Sequence, residues 1–268
     1  MERSTPEAVR QAEAPQERGG RIHFMDEVRG GDLVLMVVFH AFYVVGWLYD
    51  IKWGRDLFLF FKPVEPFFAG LFIFICGISC RLSHSNVRRG LQLVGAAALI
   101  SVTMYLVMPE EMIWFGILHF MAAGILLFAA LRPLLDKIPP LAGIAACTVL
   151  FVLTWGVPQF HGGVFGIKGI LDTPVPDWLV SNPWLYPLGL GNGTGSDYFP
   201  ILPWIFCFLC GSFVGVWAKE RRFPKWMYKS RAPWLSWIGK HTLIIYVVHQ
   251  PVAYALCWAA VHLVGLFV

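Results

Sequence analysis

Seven apolar stretches alternate with short polar ones along the chain. They fall at about 30–49, 64–82, 91–108, 113–131, 141–160, 199–218 and 235–267. Each is about long enough to cross a hydrocarbon core as a helix, and none shows the alternating ten-residue pattern of a membrane barrel. Breakers mark the edges. Pro63 and Pro66 open the second stretch, Pro109 and Pro133 end the third and fourth, and Pro139-Pro140 precede the fifth. Pro158 closes the fifth, and Pro200 and Pro203 start the sixth. The pattern predicts an all-α polytopic membrane protein with seven transmembrane helices. Residues 1–20 form a polar, disordered cytoplasmic tail, and 21–268 form one transmembrane domain.

Composition agrees. Of the 268 residues, 57% are hydrophobic, 16% aromatic and only 14% charged, where a soluble domain is nearer one quarter charged. The net charge of +4 gives no reason to expect nucleic acid, because the basic residues sit between spans. Seventeen of the 21 Lys and Arg residues lie in the tail and in the second, fourth and sixth connections. The positive-inside rule then puts the N-terminus in the cytoplasm and the C-terminus outside. The polar start is unlike a signal peptide, and the first span is expected to be a retained anchor. The six cysteines all fall in apolar spans and suggest no disulfide framework. Cys207-x-x-Cys210 reads as two small apolar residues before it reads as a redox or metal pair.

The fifth connection, 161–198, is the long one, and it lies outside. Trp178, Trp184, Tyr186 and Tyr198 crowd it. It is either a lid over a site or a plain connector with interfacial aromatics. Asn192-Gly193-Thr194 within it is a glycosylation sequon in a secretory-pathway host.

Three histidines fall inside spans: His40, His119 and His249. An ionisable residue at that depth is a candidate for function, and a neutral imidazole can take a proton from a hydroxyl or an amine. Each is also a possible helix–helix hydrogen-bond partner. The first span opens on Asp26-Glu27-Val28-Arg29-Gly30-Gly31-Asp32. Arg29 and His40 lie about 16 Å apart along one helix face. Arg29 is either ion-paired locally, with Asp26 and Asp32 three residues to each side, or a phosphate ligand for an acyl carrier. Gly30 and Gly31 allow close approach by a backbone or a ligand. Arg81, Arg88, Arg89 and the 219–240 connection add to a basic cytoplasmic mouth, or serve only as topology signals. On the outer side Glu65 either reaches an acceptor or sits in water. No metal-ligand spacing, P-loop, nucleophile elbow or dinucleotide fingerprint is present.

Four blocks carry a family resemblance. They are Arg21-Ile22-x3-Asp26-x2-Arg29-Gly30 running on to Met36-Val37-Val38-Phe39-His40, then Phe115–Phe120, Asp197–Trp204 and Trp237–Pro251. In this order they resemble the heparan-alpha-glucosaminide N-acetyltransferase catalytic-domain family. The first block alone is shared in outline with the acyltransferase-three membrane family. The resemblance implies transmembrane acetyl transfer from cytoplasmic acetyl-CoA, as co-substrate and without a metal. The acceptor is a sugar amine or hydroxyl, on a glycan or other small molecule at the far side of a bacterial plasma membrane. It implies that Arg29, with Asp26, Gly30, Arg88 and Arg89, holds the CoA side. His40 is then the catalytic imidazole, His119 and His249 match recurring family positions, and Asp197, Trp204 and Glu65 border the acceptor. The lysosomal branch places its proposed acting histidine in the first lumenal loop, whereas the loop Asp50–Lys62 has none. Direct transfer with His40 or His249 as base is therefore favoured over an acetyl-histidine. A transporter or flippase, and a non-catalytic scaffold, are the alternative readings.

Overall fold

The computed structural model describes residues 20–191 and 197–264. The expected tail, up to residue 19, and the sequon lie outside them. The described chain is helical apart from one hairpin. Helix α1 (His23–Tyr43) continues into a π-helical turn at Val44–Leu48, and α2 (Lys52–Phe61) leads through a short 3-10 turn into α3 (Glu65–Leu82). Then follow α4 (Asn86–Val107), α5 (Ile117–Leu135) and α6 (Pro140–Thr154). The hairpin β1 (Val164–Ile167) and β2 (Leu171–Pro174) and the single turn α7 (Asp177–Val180) precede α8 (Ile201–Lys219), α9 (Pro233–Lys240) and α10 (Thr242–Val264).

Six of these runs are long and apolar enough to cross a membrane; the fifth predicted span, α6, has 15 residues and is the short one. Four expectations about local structure change. The first outer loop, Asp50–Lys62, is mostly helix: Trp53, Leu57 and Phe61 recur every four residues and give it an apolar face. The long connection is not structureless, since β1 and β2 pair antiparallel from Val164↔Pro174 to Ile167↔Leu171. Pro133 does not end its helix but sits inside the last turns of α5. The last apolar stretch also divides at His241, into α9 and α10.

Small residues set the closest helix contacts. A Cβ on Gly77 of α3 would lie 2.0 Å from the carbonyl oxygen of Phe208 on α8, and one on Gly211 of α8 would lie 2.1 Å from that of Phe74. The same reciprocal contact joins α1 to α9: Gly30 meets Leu235, and Gly239 meets Asp26, each at 2.0 Å. Lipid is as apolar as leucine, so close van der Waals contact at small residues drives such association. Glu27 secures the α1–α9 contact. Its Oε1 accepts from Ser230 Oγ and from the backbone N–H groups of Arg231 and Ala232, which open α9. Around the α3–α8 pair lies the main core, with Ile73, Phe120, Ile125, Phe128, Trp204 and Phe208.

Candidate active site

Helix α1 carries the site. Leu33, Met36 and His40 recur at helical spacing on one face and line a cavity of about 340 Å³. Its other walls come from α3 (Phe68, Ala69, Phe72), from Phe199 and from Tyr246 of α10. The walls are mainly apolar, yet Asp32, Glu65 and Asp197 all face it. A second cavity of about 190 Å³ is lined by His119, His249, Gln250 and Thr103. Asp197 and Tyr246 line both cavities and so form the partition between them.

The two rings from α1 and α10 meet at this partition. His40 and His249 have ring centroids 5.0 Å apart at an interplanar angle of 79°. His40 Nδ1 donates to the carbonyl of Met36 at 2.9 Å, and His249 Nδ1 donates to that of Tyr246 at 2.6 Å. A carbonyl can only accept, so each Nδ1 carries a proton, and in the neutral ring each Nε2 keeps its lone pair. His249 is 7% exposed, and its Nε2 has no hydrogen-bond partner among the described residues. His119 is held differently. Its Nδ1 accepts from the N–H of Gly116, and its Nε2 donates to Ser101 Oγ, whose own proton goes to the carbonyl of Ile113. Both of its nitrogens are therefore taken up locally.

Asp197 is fixed from three directions. Its Oδ2 accepts from Tyr246 Oη at 3.2 Å, the N–H of Ile117 at the start of α5 donates to it, and its carboxylate lies over Gly116, where a Cβ would come within 2.4 Å. Burial, reinforced by the charge of nearby Glu65, pushes the Asp197 carboxyl up to about 7. An unfolded aspartate titrates near 3.9, so between these values the folded protein holds a proton that the unfolded chain releases. The stabilisation is complete below about pH 4 and is lost as pH rises through about 7. Thermal melts across that window should show a falling midpoint, and Asp197→Asn should flatten it. An equal slope in the variant would remove Asp197 as the source.

Arg29 stands at the basic end. Its Nη1 donates to Asp26 Oδ1 at 3.1 Å and to the carbonyl of Gly239 at 3.4 Å, and its Nη2 donates to Ser79 Oγ at 2.8 Å. Asp26 also pairs with Arg21. The expected second partner, Asp32, is not in this network: it is 6% exposed, lines the larger cavity, and its Oδ1 has no hydrogen-bond partner among the described residues. Three positions separate it from Arg29, but it points to the cavity side of the helix. Arg88 is exposed on the first turn of α4, and Arg89 reaches toward the carbonyl of Ser79. Arg81 is not part of a basic mouth; it is buried against Asp136, Ser212 and the rings of Phe128 and Phe213.

Glu65 pairs with Lys62 at the opposite end of the larger cavity rather than standing free in water. Trp204 lies in the aromatic core against Phe151, Trp155 and Phe199. The structure thus brings together His40, His249, Asp197 and, across the smaller cavity, His119, and it keeps Arg29, Asp26, Gly30, Arg88 and Arg89 at the other end. Tyr246 was not singled out by sequence reasoning. The available signal was its place three residues before His249, one turn away on the same helix face.

A profile of the family described as "Heparan-alpha-glucosaminide N-acetyltransferase, catalytic" matches residues 21–251. Searches of curated proteins and of solved structures returned no match.

Proposed function

We propose direct acetyl transfer with a histidine base for this chain, which belongs to the heparan-alpha-glucosaminide N-acetyltransferase catalytic family. Membership makes it an integral-membrane protein of the acyltransferase kind. The donor in this reading is acetyl-CoA, and the acceptor is an amine or hydroxyl on a sugar or other small molecule. The observation that carries the reading is the meeting of His40 and His249 at the wall of a cavity that runs along α1 toward Arg29. Arg29 and His40 are about 16 Å apart along the helix, comparable to an extended phosphopantetheine arm.

CoA phosphates sit at the basic end, where Arg88 and Arg89 supply guanidinium donors and Arg29, with Asp26, orients the entrance. Gly30 serves there by letting α9 close on α1. The thioester then lies beside His40. As the acceptor attacks the thioester carbonyl, His40 Nε2 takes its proton. The carbon–sulfur bond breaks, and the proton returns to the departing CoA sulfur. His249 backs the His40 ring, and Asp197 and Glu65 border the acceptor. The basic end faces the cytoplasm in this scheme, consistent with the Lys and Arg distribution, so acetyl groups move outward across a bacterial plasma membrane.

Purified protein in proteoliposomes should release free CoA thiol from acetyl-CoA when an amine or hydroxyl acceptor is present. Arg88→Ala combined with Arg89→Ala should raise KM for acetyl-CoA about tenfold, the loss of one or two charge-assisted contacts, with little change in kcat. An absence of thiol release across amines and alcohols would reject the reading.

A further inference from the structure

The larger cavity opens sideways. Leu33, Met36 and His40 form its inner wall, while Leu35 and Val38, on the neighbouring strip of α1, are 47% and 44% exposed. Across the opening, Phe61 and Val64 are each 39% exposed and also line the cavity. In a membrane-spanning bundle, exposed apolar side chains at this depth face lipid tails. The cavity is therefore continuous with the hydrocarbon of the bilayer. Its polar groups are confined. Glu65, the first residue of α3, and Asp197, just before α8, mark one end, and Asp32 marks the other. Glu65 is neutralised by Lys62, but neither Asp197 nor Asp32 has an ion-pair partner among the described residues.

A free sugar fits this space poorly. Its hydroxyls would shed water against Phe39, Phe42, Phe61, Phe68 and Phe72 with few groups to replace it. A hydrocarbon chain moves from lipid to these walls without crossing water, and Asp197 at the α3 end, with no ion-pair partner among the described residues, complements a cation. We infer that the acceptor is a bilayer lipid whose headgroup bears a primary amine, its chain entering between Val38 and Val64 and its amine lying among Asp197, Glu65 and His40. This rests on the acyl-transfer reading. The balance is closed: the ammonium first gives a proton to the carboxyl end, and the free amine then attacks the thioester carbon. A carbon–nitrogen bond forms as the carbon–sulfur bond breaks. The second N–H proton passes through His40 to the sulfur, and one proton is released overall.

The test uses full-length protein in phosphatidylcholine vesicles with acetyl-CoA, comparing glucosamine with hexadecyl glucosaminide. The lipid amine should show kcat/KM roughly a hundredfold higher, the gain from burying a few methylenes. Val38→Trp, at an exposed position, should reduce that preference about tenfold by narrowing the opening. Equal kcat/KM for the two amines would overturn the lipid acceptor while leaving acyl transfer intact. If Val38→Trp instead changes the preference between acetyl-CoA and decanoyl-CoA, the chain belongs to the donor and the inference falls. CoA release with neither amine, and with no other acceptor, would mean that the transfer reading itself has failed.

Discussion

His40→Ala should lower acetyl transfer by about 10²- to 10⁴-fold, the range that a positioned general base contributes. The ring lies on the wall of the larger cavity, and the Met36 carbonyl fixes its Nδ1 proton, so Nε2 is the atom free to act. Truncation at this position removes the base and leaves the helix intact, since α1 is held by Gly30, Glu27 and α9 several turns away. KM for acetyl-CoA should change little, because the donor's phosphates are held at the other end. Added imidazole should restore part of the rate, as the deleted ring leaves room for it. His249→Ala should cost less, because His249 lines the smaller cavity and not the larger one. Thiol-release assays on the two variants decide the matter: a silent His249→Ala protein beside an active His40→Ala protein would move the base to α10.

Gly77→Leu should abolish recovery of folded, monodisperse protein. A Cβ there meets a backbone carbonyl at 2.0 Å, and backbone in the middle of α8 cannot step aside as a flexible side chain would. Relief requires the two central helices to separate. That would open the contacts around Phe208 and Trp204, so the cost exceeds the about 1–3 kcal/mol typical of overpacking. Gly211→Leu should behave alike, being the reciprocal contact. Gly95→Leu is the control, with no atom within 4 Å of its Cβ position. Size-exclusion profiles and thermal melts in detergent report the outcome, and a well-folded Gly77→Leu protein would show that α3 and α8 tolerate a wider crossing.

The apolar stretches and their proline boundaries determined that this is a helical membrane protein and roughly where its helices run. Backbone groups in lipid must be satisfied within each segment, so a long apolar run has few options. The boundaries that failed did so locally. Lys52–Phe61 is helical with only a short apolar face, and Pro133 lies in the last turns of α5, where fewer backbone bonds remain to be broken. The four blocks carried the family, and the three histidines could be named because ionisable groups are costly at that depth.

Which groups meet could not be read along the chain. His40 and His249 stand 209 positions apart, and their 5.0 Å contact exists because α10 packs against α1. Asp32 and Asp26 flank Arg29 at the same spacing, yet only Asp26 pairs with it, because Ser79 and the Gly239 carbonyl draw the guanidinium to that side. The partition by Asp197 and Tyr246, and the sideways opening, arise from how separate helices are placed against one another. Hydropathy and spacing along the sequence fix each helix by local satisfaction of its own backbone. The cavity depends on contacts between helices, among them the α3–α8 and α1–α9 approaches at glycines whose partners only the packed bundle reveals.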